Sequence, residues 1–261
     1  MLETKKVVSS SLLKACRRFL AQDPVVNILP LGDLYMPLLR VSDIYCANER
    51  GKVLGVCSVY HAFSLPSIVC EAFTPEAKRI LIREAMSQIL GKFLSVCSPS
   101  DIALFSEYSA VLRIHHEQQM ITDSPKHFEF GNMNAEKVKK SEMELLNKFY
   151  VEHHSEAWTP IQFKTGPYYC VKQEGKIVSA AGVHIVTTQI AQLGNIITDE
   201  AYRNQGFATR CTYSLTADLA SKGRIISLFV RTDNVAAIHM YEKLGFSKKR
   251  DISFLMMQKN T

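Results

Sequence analysis

The clearest strand patterns lie in the second half of the chain. Strands are predicted over Pro167–Gln173, Lys176–Val186 and Ile190–Thr198, and short turns such as Glu174-Gly175 join them. A continuous apolar run follows at Ile225–Val230, which is typical of a strand buried on both faces.

Two helices are predicted around that run. The first extends from about Gly206 to Ser221 and ends at Lys222-Gly223, with apolar residues at helical spacing: Ala208, Cys211, Leu215 and Leu219. The second is capped by Asp233-Asn234, carries the apolar residues Ala237, Tyr241 and Leu244, and ends at Gly245. The order is antiparallel strands, helix, buried strand, helix and terminal strand, which predicts a mixed α/β fold with a mostly antiparallel sheet and flanking helices.

The chain contains an internal repeat. Tyr45-Cys46-x4-Gly51-Lys52-Val53 resembles Tyr169-Cys170-x4-Gly175-Lys176-Ile177 at an offset of 124 positions. At the same offset, TPEAKR (74–79) lies against TDEAYR (198–203). We therefore predict two tandem α/β units, residues 1–127 and 128–261, with a connection near Ile121–Gly131.

The two copies differ at the start of the predicted helix. The offset places Ile82 opposite Gly206 and Glu84 opposite Ala208. If the second copy binds phosphates through a close backbone approach at glycine, the first copy is not expected to do so. Its expected role is packing, or forming a wall of the substrate site.

Composition and charge narrow the class of protein. The 261 residues are 47% hydrophobic and 21% charged, and the net charge of +6 suits an anionic ligand but falls short of a nucleic-acid-binding signature. Val53–Cys70 and Ile177–Thr198 lack acidic and basic residues, but turn residues interrupt them, so each is predicted to be consecutive strands rather than a membrane span. The first ten residues, MLETKKVVSS, do not form a signal peptide, and a soluble protein with no membrane partner is expected.

Cysteine and histidine spacing gives no sign of a metal site. The seven cysteines are scattered without a C-x-x-C motif, which is typical of reduced thiols in a cytoplasmic protein. His115-His116 and His153-His154 are adjacent pairs, whereas ligands on one helix face are spaced i, i+4. No metal is expected.

The stretch AYRNQGFATR (201–210) carries the candidate chemistry. Arg203-x-x-Gly206-x-Ala208 follows a strand and opens a helix, whose free N–H groups and dipole form an anion site. Gly206 permits a ligand to approach the backbone closely, and the small Ala208 leaves room for it above the helix. An ordinary turn before a helix is the alternative, because glycine commonly occurs in turns.

Two ordered motifs resemble the GNAT superfamily of acyl-CoA-dependent N-acyltransferases. The family's Q/R-x-x-G-x-G/A signature is matched by Arg203, Gly206 and Ala208, and its Asn…Tyr-x-x-x-G-F segment by Asn234, Tyr241, Gly245 and Phe246. The sequence GNIITDEAYRNQGFATR is similar to the corresponding segment of the branch that includes glycine N-acyltransferase. The resemblance covers about residues 130–258, and the N-terminal half resembles the family only as a degenerate copy.

The resemblance implies a cofactor site for acetyl-CoA. A parted strand at Ile196, Ile197 and Thr198 would pair with the pantetheine arm, and its N–H groups would hold the oxyanion. The turn that would hold the pyrophosphate contains Arg203, Asn204, Gln205, Gly206, Phe207, Ala208 and Thr209. Asn234 would bind near the pantetheine, and Tyr241 would protonate the departing thiolate; the alternatives are a helix cap for Asn234, a surface ion pair for Arg203 and a core aromatic for Tyr241.

The general base is not identified by a motif. Many relatives carry a glutamate on the strand before the turn, but IAQLGNIIT has no carboxylate. His184, on the preceding strand and expected to titrate near neutrality, is the first candidate. Glu156, His153, His154 or a water relay are alternatives, and His184 could instead be a core histidine. Trp158 lies where relatives shape the acceptor pocket, although ordinary packing explains it equally well.

The predicted function is therefore direct transfer of an acetyl group from acetyl-CoA to a primary amine of a small molecule or peptide. A catalytically weak acyl-CoA-binding regulatory protein is the alternative, because the strand lacks the carboxylate. A nucleic-acid-binding module is a third reading, which the modest charge disfavours. The sequence does not identify the acceptor, which could be an amino acid, a polyamine, an antibiotic or a protein N-terminus.

Overall fold

The computed structural model describes residues 1–126 and 135–260. Contacts divide the chain into two compact units. Unit 1 comprises Met1–Glu117 and the residues from Asp251 on, and unit 2 comprises Gln118–Arg250. The predicted boundary between residues 127 and 128 lies outside the described residues, and that division stays a prediction. The repeat did not indicate that the last segment of the chain packs with unit 1.

Unit 1 is a mixed sheet covered by helices. Its elements are β1 (Leu2–Lys6), α1 (Ser10–Leu20), α2 (Ile28–Asp33), β2 (Ser42–Glu49), β3 (Lys52–Tyr60), β4 (Ser67–Ala72), α3 (Pro75–Ser87), β5 (Lys92–Cys97), α4 (Ile102–Ser106) and the first part of β6 (Ser109–Thr122). The last part of β12 (Ser247–Lys259) pairs antiparallel with β5, and the strands run in the order β1-β2-β3-β4-β5-β12. Only β4 and β5 pair in parallel among these ladders.

Unit 2 has the same alternation of strands and helices. Its elements are β7 (Glu136–Lys137), α5 (Met143–Glu152), β8 (Tyr169–Gln173), β9 (Lys176–Val186), β10 (Ile190–Thr198), α6 (Phe207–Ala220), β11 (Ile225–Arg231) and α7 (Val235–Lys243). The sheet order is β11-β10-β9-β8-β7, with β10 and β11 parallel and the others antiparallel. The predicted strands and helices of this half are confirmed, with ends that differ by one or two residues.

Two apolar clusters form the core of unit 2. One contains α6 residues such as Cys211 and Leu215 together with Leu228 and Tyr241. The other contains Tyr150 of α5 together with Trp158, Tyr168, and Cys170 of β8. Burial of these side chains supplies the main favourable term in folding the unit.

The two matched segments of the repeat differ in how alike they are: the first forms the same turn in both halves, and the second does not. Arg50-Gly51 and Glu174-Gly175 both form left-handed hairpin turns, with φ of 49° and 84° in one and 50° and 78° in the other. TPEAKR, however, begins α3 directly, because Thr74 accepts a hydrogen bond from the Ala77 N–H and Pro75 follows it. TDEAYR forms only a short 3-10 turn before α6.

The position-by-position comparison of the two copies is therefore wrong at the helix. Ile82 is fully buried in the middle of α3 and is not the counterpart of Gly206, which precedes α6. The physical reason is the different place at which each helix is capped. Unit 1 has no turn at this point like that of residues 203–206.

Other sequence predictions also have structural outcomes. The two uncharged stretches form β3 with β4 and β9 with β10, as expected. All seven cysteines are free and buried. No helix in the described part of the chain has the length and apolarity to cross a membrane.

Candidate acyl-CoA site in unit 2

The two parallel strands of unit 2 separate after a short ladder. β10 and β11 pair at three positions, from Ile190 with Ile225 to Gln192 with Ser227. Beyond Gln192, β10 pairs only with β9 among the described residues. Ile196, Ile197 and Thr198 lie on this separated part, half-buried, so one edge of β10 presents backbone groups that an extended ligand can pair with.

A β-bulge interrupts β10 where it has left β11. Gly194 pairs with Gly182 and Ile197 with Ala180, so Asn195 and Ile196 together face Ala181. Asn195 has φ of 53°, in the left-handed region. One extra residue therefore bends the strand and takes its peptide groups out of the regular ladder.

The chain enters α6 through a turn with two left-handed residues. Asn204 has φ of 62° and Gly206 has φ of 75°, and α6 begins at Phe207. Within residues 1–126 and 135–260, no side chain caps the helix, and no atom lies within 4 Å of a Cβ placed on Gly206. The turn therefore combines a glycine that the backbone requires, open space above it and uncapped N–H groups at the positive end of a 14-residue helix.

The other residues of the turn are arranged around this helix start. Arg203, Asn204 and Gln205 are exposed, while Phe207 is buried and fixes the helix on the core. Ala208 and Thr209 lie half-buried in the first turn. Arg203 forms an ion pair with Glu200 at 3.1 Å, and because both side chains are exposed this pair adds little stability and leaves the guanidinium exchangeable.

The structure places Asn234 at the start of α7 and Tyr241 in the core. Asn234 Oδ1 accepts a hydrogen bond from the Ala237 N–H at 3.2 Å, so this residue is the helix cap, and its side chain is exposed. Tyr241 is 6% exposed and lies 5.9 Å from the Phe246 ring, between ring centroids. The side chain of Tyr241 is therefore part of the packed core of unit 2.

His184 lies against the bulge of β10. A Cβ on Gly194 would come within 2.3 Å of the His184 ring, so only glycine leaves room for this imidazole. His184 is half-buried as a residue, but its Nε2 atom is enclosed and has no hydrogen-bond partner among the described residues. Burial lowers the pKa of His184 to about 4, against a hydrogen bond with Asn195 that raises it. The expectation that His184 titrates near neutrality is therefore wrong, because burial destabilises the charged form of the ring, the imidazolium.

The alternative bases lie around the end of α5. His153 Nδ1 is 2.7 Å from the Phe149 carbonyl oxygen, and Nε2 is 3.3 Å from Asp199 Oδ2, at the residue that follows β10. Glu156 and His154 are exposed. Trp158 is buried, stacks on Tyr150 with ring centroids 4.6 Å apart, and donates from Nε1 to Asn147 Oδ1 at 2.9 Å. Trp158 therefore packs in the core of unit 2, as the alternative for this residue predicted.

Sequence reasoning missed the polar residues that hold the bulge. The Tyr150 hydroxyl donates to the Asn195 carbonyl oxygen at 2.7 Å, and Asn195 Nδ2 donates to Gln162 Oε1 at 2.9 Å. These residues are 33 and 45 positions from Asn195 along the chain. The only local signal was Gly194-Asn195 inside a strand, a pair that favours turns and bulges.

The fold is a mixed α/β sheet with flanking helices in two units, and comparison with known proteins found a match to a family model within unit 2. Residues 139–246 match the model of the family described as Acetyltransferase (GNAT) family. A comparison with curated proteins found no match.

Solved structures of this family have the same fold. The tandem GNAT protein from the clavulanic acid biosynthesis pathway superposes with a TM-score of 0.63 at 11% identity, over 100% of this chain and 99% of that chain. An acetyltransferase of the GNAT family from Colwellia psychrerythraea has a TM-score of 0.61 at 16% identity, over 99% and 100%. A GCN5-related N-acetyltransferase from Kribbella flavida has a TM-score of 0.63 at 15% identity, over 94% and 96%. At these identities the similarity establishes the fold alone.

Proposed function

We propose that unit 2 binds acetyl-CoA and transfers its acetyl group to a primary amine of a small molecule or peptide. The observation that carries the proposal is continuous along the chain: β10 separates from β11, and β10 then leads into the uncapped start of α6 at Gly206. The open edge of β10 can pair with a pantetheine arm, and the uncapped N–H groups of α6 can bind a pyrophosphate. The family match over residues 139–246 supports acyl transfer from an acyl-CoA.

Each predicted cofactor residue has a proposed contact. The backbone at Ile196, Ile197 and Thr198 pairs with the pantetheine arm. The N–H groups at Gly206, Phe207, Ala208 and Thr209 hold the pyrophosphate, with Arg203, Asn204 and Gln205 at its exposed side. Asn234 Oδ1 caps α7, and its Nδ2 is the atom that would donate to the cofactor.

The proposed reaction has no covalent enzyme intermediate. The amine nitrogen attacks the thioester carbon, and the carbonyl electrons move to the oxygen, which the backbone N–H groups of the bulge stabilise. Collapse of this intermediate breaks the C–S bond. The amine loses a proton to a base, and the CoA thiolate gains one from the Tyr241 hydroxyl, which water then reprotonates.

We propose His184 as the base, in its neutral form. Its enclosed Nε2 is an unused polar atom beside the bulge. A pKa of about 4 keeps the imidazole neutral at physiological pH but makes it a weaker base than an ordinary histidine. His153, beside Asp199, and water therefore remain alternatives for the proton transfer.

Replacing Tyr241 with phenylalanine is expected to lower kcat by about 100-fold with little change in the Kd for acetyl-CoA, because the hydroxyl acts on the leaving thiolate and not on the bound cofactor. The measurement is steady-state thiol release over a full pH range, with calorimetric Kd and melting temperature determined for the same variant. Turnover equal to that of the wild type at every pH would make Tyr241 a core residue only.

Unit 1 is proposed to lack a cofactor site because charged side chains fill the corresponding place. Its parallel strands also separate early, since β4 and β5 pair at only two positions. Lys78 of α3 forms ion pairs with Glu71 of β4 at 3.2 Å and with Asp101, in the turn that follows β5, at 2.8 Å. Burial lowers the pKa of Lys78, but the carboxylates of Glu71 and Asp101 more than offset it and raise the pKa.

One molecule of acetyl-CoA is therefore expected to bind per chain. Isothermal titration calorimetry measures this number directly, and Lys78→Ala, which changes unit 1 alone, is expected to leave the Kd unchanged. A stoichiometry of two, or loss of binding in Lys78→Ala with an unchanged melting temperature, would contradict the assignment of the site to unit 2.

A regulatory acyl-CoA-binding protein is the second candidate function. It is favoured by the absence of a carboxylate on β10 and by the low pKa of His184. The two candidates differ in turnover: an enzyme releases CoA thiol from acetyl-CoA when an amine is present, whereas a binding protein does not.

We also propose a cytoplasmic location, supported by seven free, buried cysteines.

A further inference from the structure

Asn195 is the centre of a buried hydrogen-bond network at the bulge. Besides the bonds from Tyr150 and to Gln162, Ser155 Oγ donates to Asn195 Oδ1 at 3.2 Å, and Asn195 Nδ2 is 3.4 Å from the Tyr168 hydroxyl. The backbone carbonyl, Oδ1 and Nδ2 of Asn195 are therefore all engaged. Asn195 is 7% exposed and Gln162 is 2% exposed, so these bonds are sheltered from water.

The network fixes a backbone conformation that the chain would otherwise avoid. A non-glycine residue with φ of 53° inside a strand is unusual, and asparagine tolerates this region better than most residues. Burial raises the pKa of Tyr150 well above its ordinary value, so its hydroxyl keeps the proton that it donates to the Asn195 carbonyl. The orientation of the peptide between Asn195 and Ile196 is thus held from one side by α5.

The partners of Asn195 lie on the segment that precedes β8. Tyr150 is on α5, and Ser155 and Gln162 are on the connection from α5 to β8. Gln162 Oε1 also accepts from the Thr159 N–H at 3.3 Å. The Asn195 side chain therefore joins the bulge to this connection by hydrogen bonds.

We infer that Asn195 is a positioning residue for acyl transfer, whose network holds the bulge peptide so that its N–H donates to the thioester oxygen. This inference rests on the proposed function of unit 2. Asn195 acts on the thioester through the backbone, and its side chain also hydrogen-bonds to His184, the proposed base. The state of the bound thioester is therefore measured separately from turnover. A role in stability alone would leave the bound thioester unaffected when the residue is changed.

The test compares Asn195→Ala with Asn195→Gly. Both remove the side-chain hydrogen bonds, but glycine adopts the left-handed conformation freely and alanine does not. We expect Asn195→Ala to lower kcat by about 100-fold with the KM for acetyl-CoA changed less than about 3-fold, as for loss of an oxyanion donor. Asn195→Gly is expected to retain about 10-fold more activity than Asn195→Ala.

Infrared spectroscopy of bound acetyl-CoA gives a readout that does not depend on turnover. A hydrogen bond to the thioester oxygen lowers the carbonyl stretching frequency, so binding to the wild type is expected to lower it and binding to Asn195→Ala to lower it less. Leu146→Val is the matched control, because Leu146 is fully buried on α5 in the same apolar cluster as Tyr150 and its apolar side chain makes no hydrogen bond to Asn195. It is expected to lower the melting temperature with kcat and the carbonyl frequency unchanged.

The outcomes separate the inference from the proposed function. If the wild type binds no acetyl-CoA, both are overturned. If it binds acetyl-CoA but Asn195→Ala gives the wild-type carbonyl frequency, the positioning role is overturned and the cofactor site stands.

Discussion

Replacing Gly206 with glutamate is expected to abolish acetyl-CoA binding. The new side chain would extend into the open space above the turn, where no described atom lies within 4 Å, and its carboxylate would occupy the N-terminal end of α6 in place of the pyrophosphate. We expect the Kd to rise by at least about 100-fold, which corresponds to about 2.7 kcal/mol. Isothermal titration calorimetry with acetyl-CoA measures the change.

Gly223→Glu is the matched control for this variant. Gly223 follows the other end of α6, has φ of 73° and also faces no described atom within 4 Å, so the substitution introduces similar backbone strain. Each variant is expected to lose about 1 kcal/mol of stability from the left-handed conformation, yet only Gly206→Glu should lose binding. An unchanged affinity in Gly206→Glu would contradict the phosphate site.

The second large effect is expected in unit 1, where Asp33→Asn should remove a pH dependence of stability. Asp33 is 7% exposed, and its Oδ2 accepts a hydrogen bond from Ser58 Oγ at 2.6 Å. Burial raises the pKa of Asp33 from 3.8 to about 7, and the bond from Ser58 opposes this. The native state therefore binds this proton more tightly than the unfolded chain, and wild-type stability falls as the pH rises from about 4 to about 7.

Above pH 7 the ionised carboxylate is buried, and asparagine avoids this cost while still accepting from Ser58. Asp33→Asn should thus be more stable than the wild type at pH 8 by an amount of about 4 kcal/mol at most, and nearly equal to it at pH 4. Urea unfolding at the two pH values measures the difference. A pH-independent difference would contradict the buried ionisation.

Asp43→Asn provides a control of opposite sign. Although burial raises the pKa of Asp43, its contacts with Lys6 and His61 outweigh this and lower it. Its stabilising effect is present above the unfolded pKa and lost as the pH falls, so this variant should be less stable than the wild type at pH 8. The effect should be small, because the side chain is 35% exposed.

The elements of unit 2 could be predicted because their signals are local. Glu174-Gly175 forms the left-handed hairpin turn that its residues favour, and α6 ends beside Gly223 as the stop signal indicated. The start of α6 next to Gly206 could also be predicted, because glycine is the residue that a left-handed turn favours, and Gly206 does adopt φ of 75°. The confirmed strands and the motif therefore rest on residues that lie close together in the chain.

The remaining features depend on contacts between distant residues. The bulge at Asn195 is held by Tyr150 and Gln162, and within IAQLGNIIT only the pair Gly194-Asn195 indicates it. The pKa of His184 depends on its enclosure beside Gly194, which a strand pattern does not indicate. In unit 1, Lys78 bridges Glu71 and Asp101 because α3 starts early, and this helix start moved the repeat out of register.

The most direct test of the central proposal is thiol release from acetyl-CoA by the full chain in the presence of a broad panel of amines. The panel should include amino acids, polyamines, aminoglycosides and peptides with free N-termini, with mass spectrometry of the product. The proposal predicts amine-dependent release of CoA thiol together with an N-acetylated product, both lost in Gly206→Glu and retained in Gly223→Glu. Acetyl-CoA binding without thiol release for any amine would contradict catalysis and favour the regulatory binding protein.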